Sequence, residues 1–245
     1  MTAPVFVVEH FDTDGGRYVL DGPEGRHAVS VKRLRAGEDV VLTDGAGRWA
    51  DCVVLDTEGK DRLILRLEPV HEEPAEQPRV TVVQALPKGD RGELAVETMT
   101  EVGVDAIVPW AAARCITQWK GDRGAKALGK WRATAREAGK QSRRVRFPEV
   151  AEAATTRQVA SLLAGAEFAA VLHESGDAPL ATADLPATGE IVLVVGPEGG
   201  VAPEELALFE EAGAKAYRLG RSVLRTSTAG TAAAAVLLAR TGRWS

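Results

Sequence analysis

The chain has 245 residues, 45% of them hydrophobic and 27% charged, which is a composition typical of globular proteins that bury one or two cores. No apolar run approaches the ~20 residues that a membrane-spanning helix needs, and the start lacks the features of a signal peptide, so we expect a cytoplasmic protein. Its two cysteines lie far apart and its four histidines are scattered, which argues against a disulfide framework and against a metal site.

Short β-strands separated by turns are predicted for residues 1–70. The segment EDVVLTDGAGRWADCVVLD is typical of a hairpin that turns at Asp44–Gly47, and GRHAVSVKRLRAGE predicts a short helix that ends near Gly37. These elements indicate a small β-barrel or sandwich. The acidic stretch 71–78, HEEPAEQP, contains two prolines and no apolar pattern, so we interpret it as a linker.

From Arg79 onwards, strands alternate with helices. The strands VTVVQAL, AIVPW, FAAVLHE and IVLVVG are uninterrupted apolar runs, which are typical of a parallel sheet that is covered on both faces. Between and after them lie helical patterns, including a helix that begins at Pro203 and an alanine-rich helix near the end of the chain. Residues 79–245 are therefore predicted to form an α/β domain.

One strongly basic segment contrasts with the net charge of −5. Residues 120–146 contain ten lysines and arginines against two acidic residues. The segment DRGAKALGKWRATAREAGKQSRR predicts a long helix with Leu128, Trp131, Ala135 and Ala138 on one side. A charge imbalance of this size favours a polyanionic partner, whose binding would weaken steeply as salt is added.

A glycine-rich turn, Gly196–Gly200, reads GPEGG and follows the strand IVLVV, at the strand end where parallel sheets bind ligands. The dinucleotide fingerprint GxGxxG is absent, Pro197 removes an amide that a pyrophosphate would need, and no P-loop lysine follows. The turn favours close backbone approach to a ligand other than a diphosphate. A tight connection that binds nothing fits the pattern equally well.

The segment RLGRSVLRTSTAG leads from a strand end into the last helix. Serine and threonine are favoured at helix starts, so we interpret Thr226–Thr228 as an N-cap. Arg225 lies between a buried strand and that helix, where an ordinary surface arginine has no particular role. His173 lies at the end of FAAVLHE, and a single histidine of this kind is more often structural than catalytic.

Taken together, LHE, VVGPEGG and LGRSVLRTSTA resemble the three C-terminal motifs of the SPOUT class of RNA methyltransferases, which use S-adenosylmethionine (SAM). More narrowly, the chain resembles ribosomal RNA small subunit methyltransferase E, the family that methylates uridine N3 in 16S ribosomal RNA. HAVSVKRLRAGEDVVLTDGAGR is similar to the N-terminal domain of that family, LPKGDRGELAVETMTEVGV to the opening of its catalytic domain, and REAGKQSRR to its basic helix. The resemblance covers nearly the whole chain.

The resemblance implies a PUA-like RNA-binding β-domain (1–70), the linker (71–78) and a SPOUT α/β methyltransferase domain (79–245) with a parallel sheet and a trefoil knot. It also implies a homodimer that acts on 16S ribosomal RNA. We expect this substrate to be within the small ribosomal subunit, although the sequence leaves open whether methylation needs the assembled subunit. The family holds SAM in the knot, largely through backbone groups of the three motif loops. On this chain the implied SAM-binding residues are Leu172, His173, Glu174, Val195, Gly196, Pro197, Gly199, Gly200, Leu219, Gly220, Ser222, Val223, Leu224, Thr228 and Ala229.

The resemblance is incomplete at three positions. The family often has an arginine, a lysine and a glutamate where this chain has Val5, Thr98 and Ser227. The last difference removes a carboxylate from the motif but leaves the glycines and Arg225 in place.

Methyl transfer to uracil N3 is an in-line displacement that also requires loss of the N3 proton. We favour Arg225 as a cation that stabilises the uracil anion while water takes the proton, with Glu198 as the alternative base. A glutamate at a helix N-terminus is a weak base, because the helix stabilises its charge. The RNA-binding surface that we expect includes the basic helix with Trp131. Because the target uridine is embedded in RNA structure, its base is expected to be splayed out before it reacts. The candidate residues of the RNA-binding surface are Lys32, Arg33, Arg35, Arg114, Arg132, Arg136, Gln141, Arg143 and Arg144.

Two alternatives remain open on the sequence, and the sequence argues against a third. A non-catalytic RNA-binding or ribosome assembly factor could keep the knot, and stoichiometric SAM binding would argue against it. A methyltransferase for another RNA position would share the same motifs. A nicotinamide-dependent enzyme would need GxGxxG and an acidic residue after the next strand, and the sequence has neither.

Overall fold

The computed structural model describes residues 3–11 and 15–244. The chain divides into two compact units. The N-terminal unit contains the residues up to Ala75 and the later segment Gly139–Phe147, and the C-terminal unit contains Glu76–Ala138 and the residues from Pro148 onwards. The limits that we assign to the two domains and the linker stay a prediction.

The N-terminal unit is built on a six-stranded sheet. The strands are arranged β1-β3-β4-β5-β2, and β6 pairs with β4. The predicted hairpin is confirmed, because β3 and β4 are antiparallel neighbours on either side of the turn at Asp44–Gly47. The elements of this unit, in chain order, are β1 (Val5–Val7), β2 (Gly16–Leu20), α1 (Gly22–Arg26), a π-helix (His27–Lys32), β3 (Asp39–Thr43), β4 (Arg48–Glu58), β5 (Arg62–Leu67) and β6 (His71–Glu72).

The helical segment of this unit is shorter than predicted. It ends with the π-helix at Lys32, and Arg33 leaves it with a left-handed backbone at φ 56°. The prediction of a helix that continues to near Gly37 is therefore wrong. Because residues 35–39 are all exposed, a further helical turn would bury no apolar surface against the sheet.

The C-terminal unit alternates strands and helices, as the sequence predicts. No helix formed by residues 3–11 and 15–244 is both long enough and apolar enough to cross a membrane. The elements of this unit are β7 (Arg79–Ala85), α2 (Arg91–Val102), β8 (Ala106–Trp110), α3 (Gly121–Gln141, of which the last three residues belong to the N-terminal unit), β9 (Glu149–Val150), α4 (Thr156–Ala164), β10 (Phe168–Leu172), β11 (Ala178–Pro179), a 3-10 helix (Leu180–Thr182), β12 (Glu190–Val195), α5 (Pro203–Glu211), β13 (Lys215–Arg218) and α6 (Thr226–Arg240).

The sheet of the C-terminal unit confirms the α/β fold class. Its seven strands are arranged β11-β13-β10-β12-β7-β8-β9, and every neighbouring pair is parallel. The central strand β12 is buried from Ile191 to Val195, as its uninterrupted apolar sequence requires when helices cover both faces. Because β13, β10, β12 and β7 are adjacent, the segments that follow their carboxyl ends meet at one edge of the sheet.

The basic helix α3 buries the predicted apolar side. Leu128, Trp131, Ala135 and Ala138 are all buried. Trp131 is only 2% exposed and packs edge-on against Trp119, with 4.9 Å between ring centroids. The expectation that Trp131 contributes to an RNA-facing surface is therefore wrong, because its ring is part of the core. The polar side of α3 carries the positive charge.

Candidate functional site

A cavity of about 590 Å³ lies at the carboxyl ends of β10, β12 and β13. This volume is in the range of about 300–1,000 Å³ that is usual for small-molecule sites. Parallel α/β sheets bind ligands at this edge, because the loops that follow adjacent strands converge there. Most of the lining comes from three loop segments, Leu172–Glu174, Val195–Val201 and Tyr217–Thr226, and the remaining lining residues are Arg91, Arg114 and Ala229.

The cavity brings the predicted site residues together. Of the fifteen implied SAM-binding residues, fourteen line it, and the exception is Thr228. Arg225 and Glu198 line it as well. The lining residues that are not among the implied SAM-binding, catalytic or RNA-binding residues are Arg91, Val201, Tyr217, Arg218, Arg221 and Thr226.

The protein's own structure requires glycine at some positions of the cavity lining but not at others. A side chain at Gly196 would come within 2.9 Å of the Val201 side chain, and Gly200 has a left-handed backbone at φ 74° that favours glycine. Gly220 has neither restriction, because a Cβ there would meet no protein atom within 4 Å and its φ lies outside the left-handed region. At Gly220 the bare backbone faces open space.

The start of α6 is fixed by Thr226 in a way that the sequence did not predict. The cap position is Arg225, no side chain caps the helix, and Thr226 and Ser227 are buried. The interpretation of Thr226–Thr228 as a side-chain N-cap is therefore wrong. The Thr226 hydroxyl instead donates to the carbonyl oxygen of Gly196 at 3.1 Å, and the side-chain amide of Gln84 donates to the Thr226 carbonyl at 3.3 Å.

Arg225 itself is exposed at the cavity. Among residues 3–11 and 15–244, its guanidinium has no hydrogen-bond or ion-pair partner. The bonds of Thr226 anchor the backbone directly after Arg225 to the glycine turn and to β7. The backbone that carries the Arg225 side chain is therefore held at the cavity, and the charge of the guanidinium is available to a ligand.

Glu198 occupies a different environment from the predicted one. It lies in the turn closed by the Gly200 amide, which donates to the Pro197 carbonyl at 2.9 Å, whereas α5 begins only at Pro203. The argument that a helix N-terminus stabilises its charge does not apply. One carboxylate oxygen accepts a hydrogen bond from the Lys88 backbone amide at 3.0 Å. Glu198 thus connects the glycine turn with the segment that follows β7.

The buried carboxylate of Glu205 connects segments that flank the cavity. Glu205 is 6% exposed and accepts hydrogen bonds from the Ala113 amide at 2.8 Å, the Thr156 hydroxyl at 2.9 Å and the Ala202 amide at 3.2 Å. These bonds satisfy the carboxylate and tie the N-terminus of α5 to the loop after β8. The next residue in that loop, Arg114, donates to the Gly199 carbonyl at 3.0 Å.

Five arginines line the cavity, and they differ in how they are engaged. Arg114 donates to a carbonyl of the glycine turn, and Arg218 donates to the Gly176 carbonyl at 3.2 Å. Within the described part of the chain, the guanidinium groups of Arg91, Arg221 and Arg225 have no such partner. The cavity therefore has positive charge that the protein itself does not neutralise.

The polar residues at the cavity edge are not arranged as an acid–base pair. Nδ1 of His173 lies 2.7 Å from the Ser175 hydroxyl, within its own turn. Burial raises the pKa of Tyr217, and the charge of Asp184 raises it further, so the phenol is neutral at physiological pH. The described residues contain no group of three histidine, cysteine, aspartate or glutamate side chains placed to hold a metal ion.

The predicted RNA-binding residues fall in both units. Lys32, Arg33 and Arg35 are exposed around the end of the π-helix. In the C-terminal unit, Arg132 is partly occupied, because it donates to the Val150 carbonyl at 3.0 Å and to the Glu152 carboxylate at 2.9 Å. The others are Arg114 at the cavity and Arg136 on the exposed side of α3. Gln141 is the last residue of that helix, Arg143 and Arg144 follow it, and all three belong to the N-terminal unit.

Two family models match the chain. A model described as an RNA methyltransferase domain matches residues 74–238, and one described as an RNA methyltransferase PUA domain matches residues 20–68. The first match covers more than half of the chain and includes all three loop segments of the cavity.

Curated relatives and solved structures agree with these models. A ribosomal RNA small subunit methyltransferase E from Mycobacterium bovis is 45% identical over 248 residues, which cover 100% of this chain and 94% of the relative. A protein of the same name from Bacillus subtilis is 29% identical over 220 residues, covering 86% of each. A crystal structure of this methyltransferase from Neisseria gonorrhoeae, bound to SAM, has a TM-score of 0.85 and 29% identity and covers 98% of both chains.

Proposed function

Because the chain belongs to the ribosomal RNA small subunit methyltransferase E family, we propose that it methylates N3 of a uridine in 16S ribosomal RNA. It is a SAM-dependent ribosomal RNA methyltransferase. The finer assignment to N3 is supported by a cavity that offers an unpaired cation and no acid–base pair. Mapping N3-methyluridine in 16S ribosomal RNA from a deletion strain tests it directly, and an unchanged modification pattern would refute it.

The residues of the cavity fit SAM. Gly220 presents bare backbone where the protein itself has no need of glycine, and Val223 and Leu224, both exposed at the cavity, offer apolar surface for an adenine ring. We propose that the loop segments Leu172–Glu174, Val195–Val201 and Tyr217–Thr226 hold the cofactor, largely through backbone groups. SAM supplies an electrophilic methyl group bound to a sulfonium.

The role that we propose for Arg225 follows from the chemistry of uracil. Loss of the N3 proton leaves a negative charge that is shared with O2 and O4, and a fixed cation lowers the free energy of that anion. Arg225 has an unpaired guanidinium at the cavity, while the carboxylate of Glu198 is engaged with the Lys88 amide. The unpaired charge of Arg225 is the observation that carries the proposal, and water then takes the proton.

Replacing Arg225 with alanine tests this role. We expect the Arg225→Ala variant to lose about 10²–10³-fold in kcat, which is the usual cost of removing one group that stabilises a developing anion. The Kd for SAM, measured by calorimetry, should stay within twofold of the parent value. Arg225→Lys, which keeps the charge but loses the planar donor fork, should recover part of the rate. Full methylation by Arg225→Ala with intact SAM binding would refute the role.

The wider architecture is also a proposal. We propose that the C-terminal unit threads into a trefoil knot, that the protein is a cytoplasmic homodimer, and that its substrate is ribosomal RNA within the small subunit. The PUA-like match over residues 20–68 and the exposed cations after the π-helix support RNA binding by the N-terminal unit. Light scattering after gel filtration tests the dimer, and a monomeric mass would refute it.

A further inference from the structure

Arg91 is a cavity residue that the proposed mechanism does not use. It is the first residue of α2, and only a short segment separates it from the end of β7. Strand β7 pairs in parallel with β12, so the carboxyl ends of these strands are neighbours, and the chain after β7 reaches the same edge as the glycine turn. Among residues 3–11 and 15–244, the half-buried Arg91 side chain has no hydrogen-bond or ion-pair partner.

The segment before Arg91 is held in place at several points. The Leu86 amide donates to the Trp110 carbonyl at 3.0 Å, and the Thr117 hydroxyl donates to the Pro87 carbonyl at 2.8 Å. The Lys88 amide donates to the Glu198 carboxylate at 3.0 Å. Of these three bonds, the one to Glu198 links the segment to the glycine turn, on the neighbouring wall of the cavity.

We propose that Arg91 binds a backbone phosphate of the RNA strand next to the target nucleotide, and that Glu198 is a positioning residue that holds the Arg91 segment. This inference rests on the proposed function. A base that enters the cavity carries its flanking phosphates to the opening, and a guanidinium can bind phosphate oxygens with two parallel hydrogen bonds. The partnerless guanidinium of Arg91 lines the same cavity as that of Arg225 but belongs to a different element, so a base and its phosphate can engage both.

The carboxylate of SAM offers the same chemistry as a phosphate, so the test separates the two sources. Binding of a 16S ribosomal RNA fragment that contains the target uridine is measured over a range of salt concentrations. For Arg91→Ala we expect the slope of log Kd against log salt to decrease by about 0.7–0.9, which corresponds to one lost phosphate contact. The Kd for SAM, measured by calorimetry, should stay within twofold of the parent value.

Two further variants serve as controls. Arg91→Lys keeps one positive charge and should keep the parent salt slope, although its affinity is lower. Arg157→Ala removes an exposed arginine from α4, away from the cavity, and should change neither the slope nor the affinity. An unchanged salt slope in Arg91→Ala would overturn the proposal. A tenfold loss of SAM affinity without a change in the salt slope would overturn it as well.

The role of Glu198 is tested with a conservative pair. Glu198→Gln keeps an oxygen that can accept from the Lys88 amide but removes the basic carboxylate, so it should keep the parent salt slope. Glu198→Ala loses the acceptor and should weaken RNA binding as Arg91→Ala does, with little further loss in the double variant. A large rate loss in Glu198→Gln would overturn the positioning role and restore Glu198 as a base. In one possible outcome, Arg91→Ala reduces the salt slope of RNA binding but the parent protein forms no N3-methyluridine. That outcome would refute the proposed function alone and leave the phosphate contact of Arg91 in place.

Discussion

Gly220 lies at the cavity in a backbone conformation that any residue can adopt. A methyl group there would meet no protein atom within 4 Å, so replacing this glycine with alanine should not strain the folded protein. Alanine also reduces the entropy of the unfolded chain, which stabilises the fold by about 0.4–1 kcal/mol at a compatible site. The folded protein alone therefore gives no reason for glycine at this position.

We expect Gly220→Ala to separate ligand binding from stability. The added methyl group would project into the space that we assign to SAM, and a steric conflict of about 1–3 kcal/mol corresponds to an about 5–150-fold weaker Kd. Calorimetric titration with SAM and thermal denaturation without it measure the two effects. Unchanged SAM affinity, or a clear loss of Tm, would contradict the assignment.

At this scale the sequence predicted the residues of the motifs but not the contacts between them. GPEGG is a local pattern, so its place at a strand end could be inferred. The contact between Thr226 and Gly196 spans 30 positions and has no local signature, which is why the threonines were interpreted as a cap. Arg91 was missed because it reaches the cavity only through the pairing of β7 with β12. A search for charged residues just after each predicted parallel strand would have found it.

The elements α2 and α6 pack closely because small residues face each other. A side chain at Gly230 would lie 2.8 Å from the Met99 sulfur, and the hydroxyl groups of Thr98 and Thr231 are 2.6 Å apart. Thr98, one of the three positions at which the resemblance is incomplete, thus joins the two helices. The alanine-rich sequence of α6 has the same basis, because small side chains permit a short distance between helix axes.

Two glycine-to-alanine changes in helices should therefore have opposite effects. Gly230→Ala forces a methyl group against Met99, and overpacking of this kind costs about 1–3 kcal/mol. Gly129 lies on the exposed side of α3 with no protein atom near its missing side chain, so Gly129→Ala should stabilise the protein by about 0.5–1 kcal/mol. Urea denaturation measures both. Equal shifts in the same direction would show that helix propensity, rather than packing, decides the outcome.

Long elements with a clear period were predicted well, and short ones were not. β12 is an uninterrupted apolar run, and α3 repeats its apolar residues at helical spacing, so burial on a sheet or along one helix side produces a readable pattern. The two-residue strands β9 and β11 have no period to detect. The early end of the π-helix also lacked a signal, since Arg33 adopts a left-handed conformation that glycine would normally mark.

At the scale of the whole molecule, long-range contacts decide which segments belong together. Gly139–Phe147 begins with the last three residues of α3 yet clusters with the N-terminal unit. The Thr43 hydroxyl donates to the Val145 carbonyl at 2.9 Å, and the Phe147 ring occupies the space beside Gly45. Lys140 is buried and pairs with Glu24 at 2.9 Å, so one lysine of the basic segment is not available to RNA. The sequence does not reveal any of this, because the partners are about 100 positions apart.

Arg243, which follows α6, connects two distant parts of the C-terminal unit. Its side chain is 5% exposed and forms an ion pair with Asp105, which is 12% exposed, and a second with the half-exposed Glu76 at 2.6 Å. It also donates to the Pro78 carbonyl at 3.2 Å. The Asp105 carboxylate in turn accepts from the Val80 amide at 2.8 Å, at the start of β7. One guanidinium thus joins the last residues of this unit to its first strand.

Removing that guanidinium should destabilise the C-terminal unit by about 3–5 kcal/mol, because Asp105 would remain buried without its counter-charge. The exposed pair with Glu76 should contribute little of this. Urea unfolding followed by tryptophan fluorescence reports mainly on this unit, since four of the five tryptophans, Trp110, Trp119, Trp131 and Trp244, lie in it. Arg243→Lys should recover part of the loss, and Arg123→Ala, on the exposed side of α3, should leave the midpoint unchanged. If Arg243→Ala shifted the midpoint no more than Arg123→Ala does, the fold of this unit would not depend on the contact between its end and its beginning.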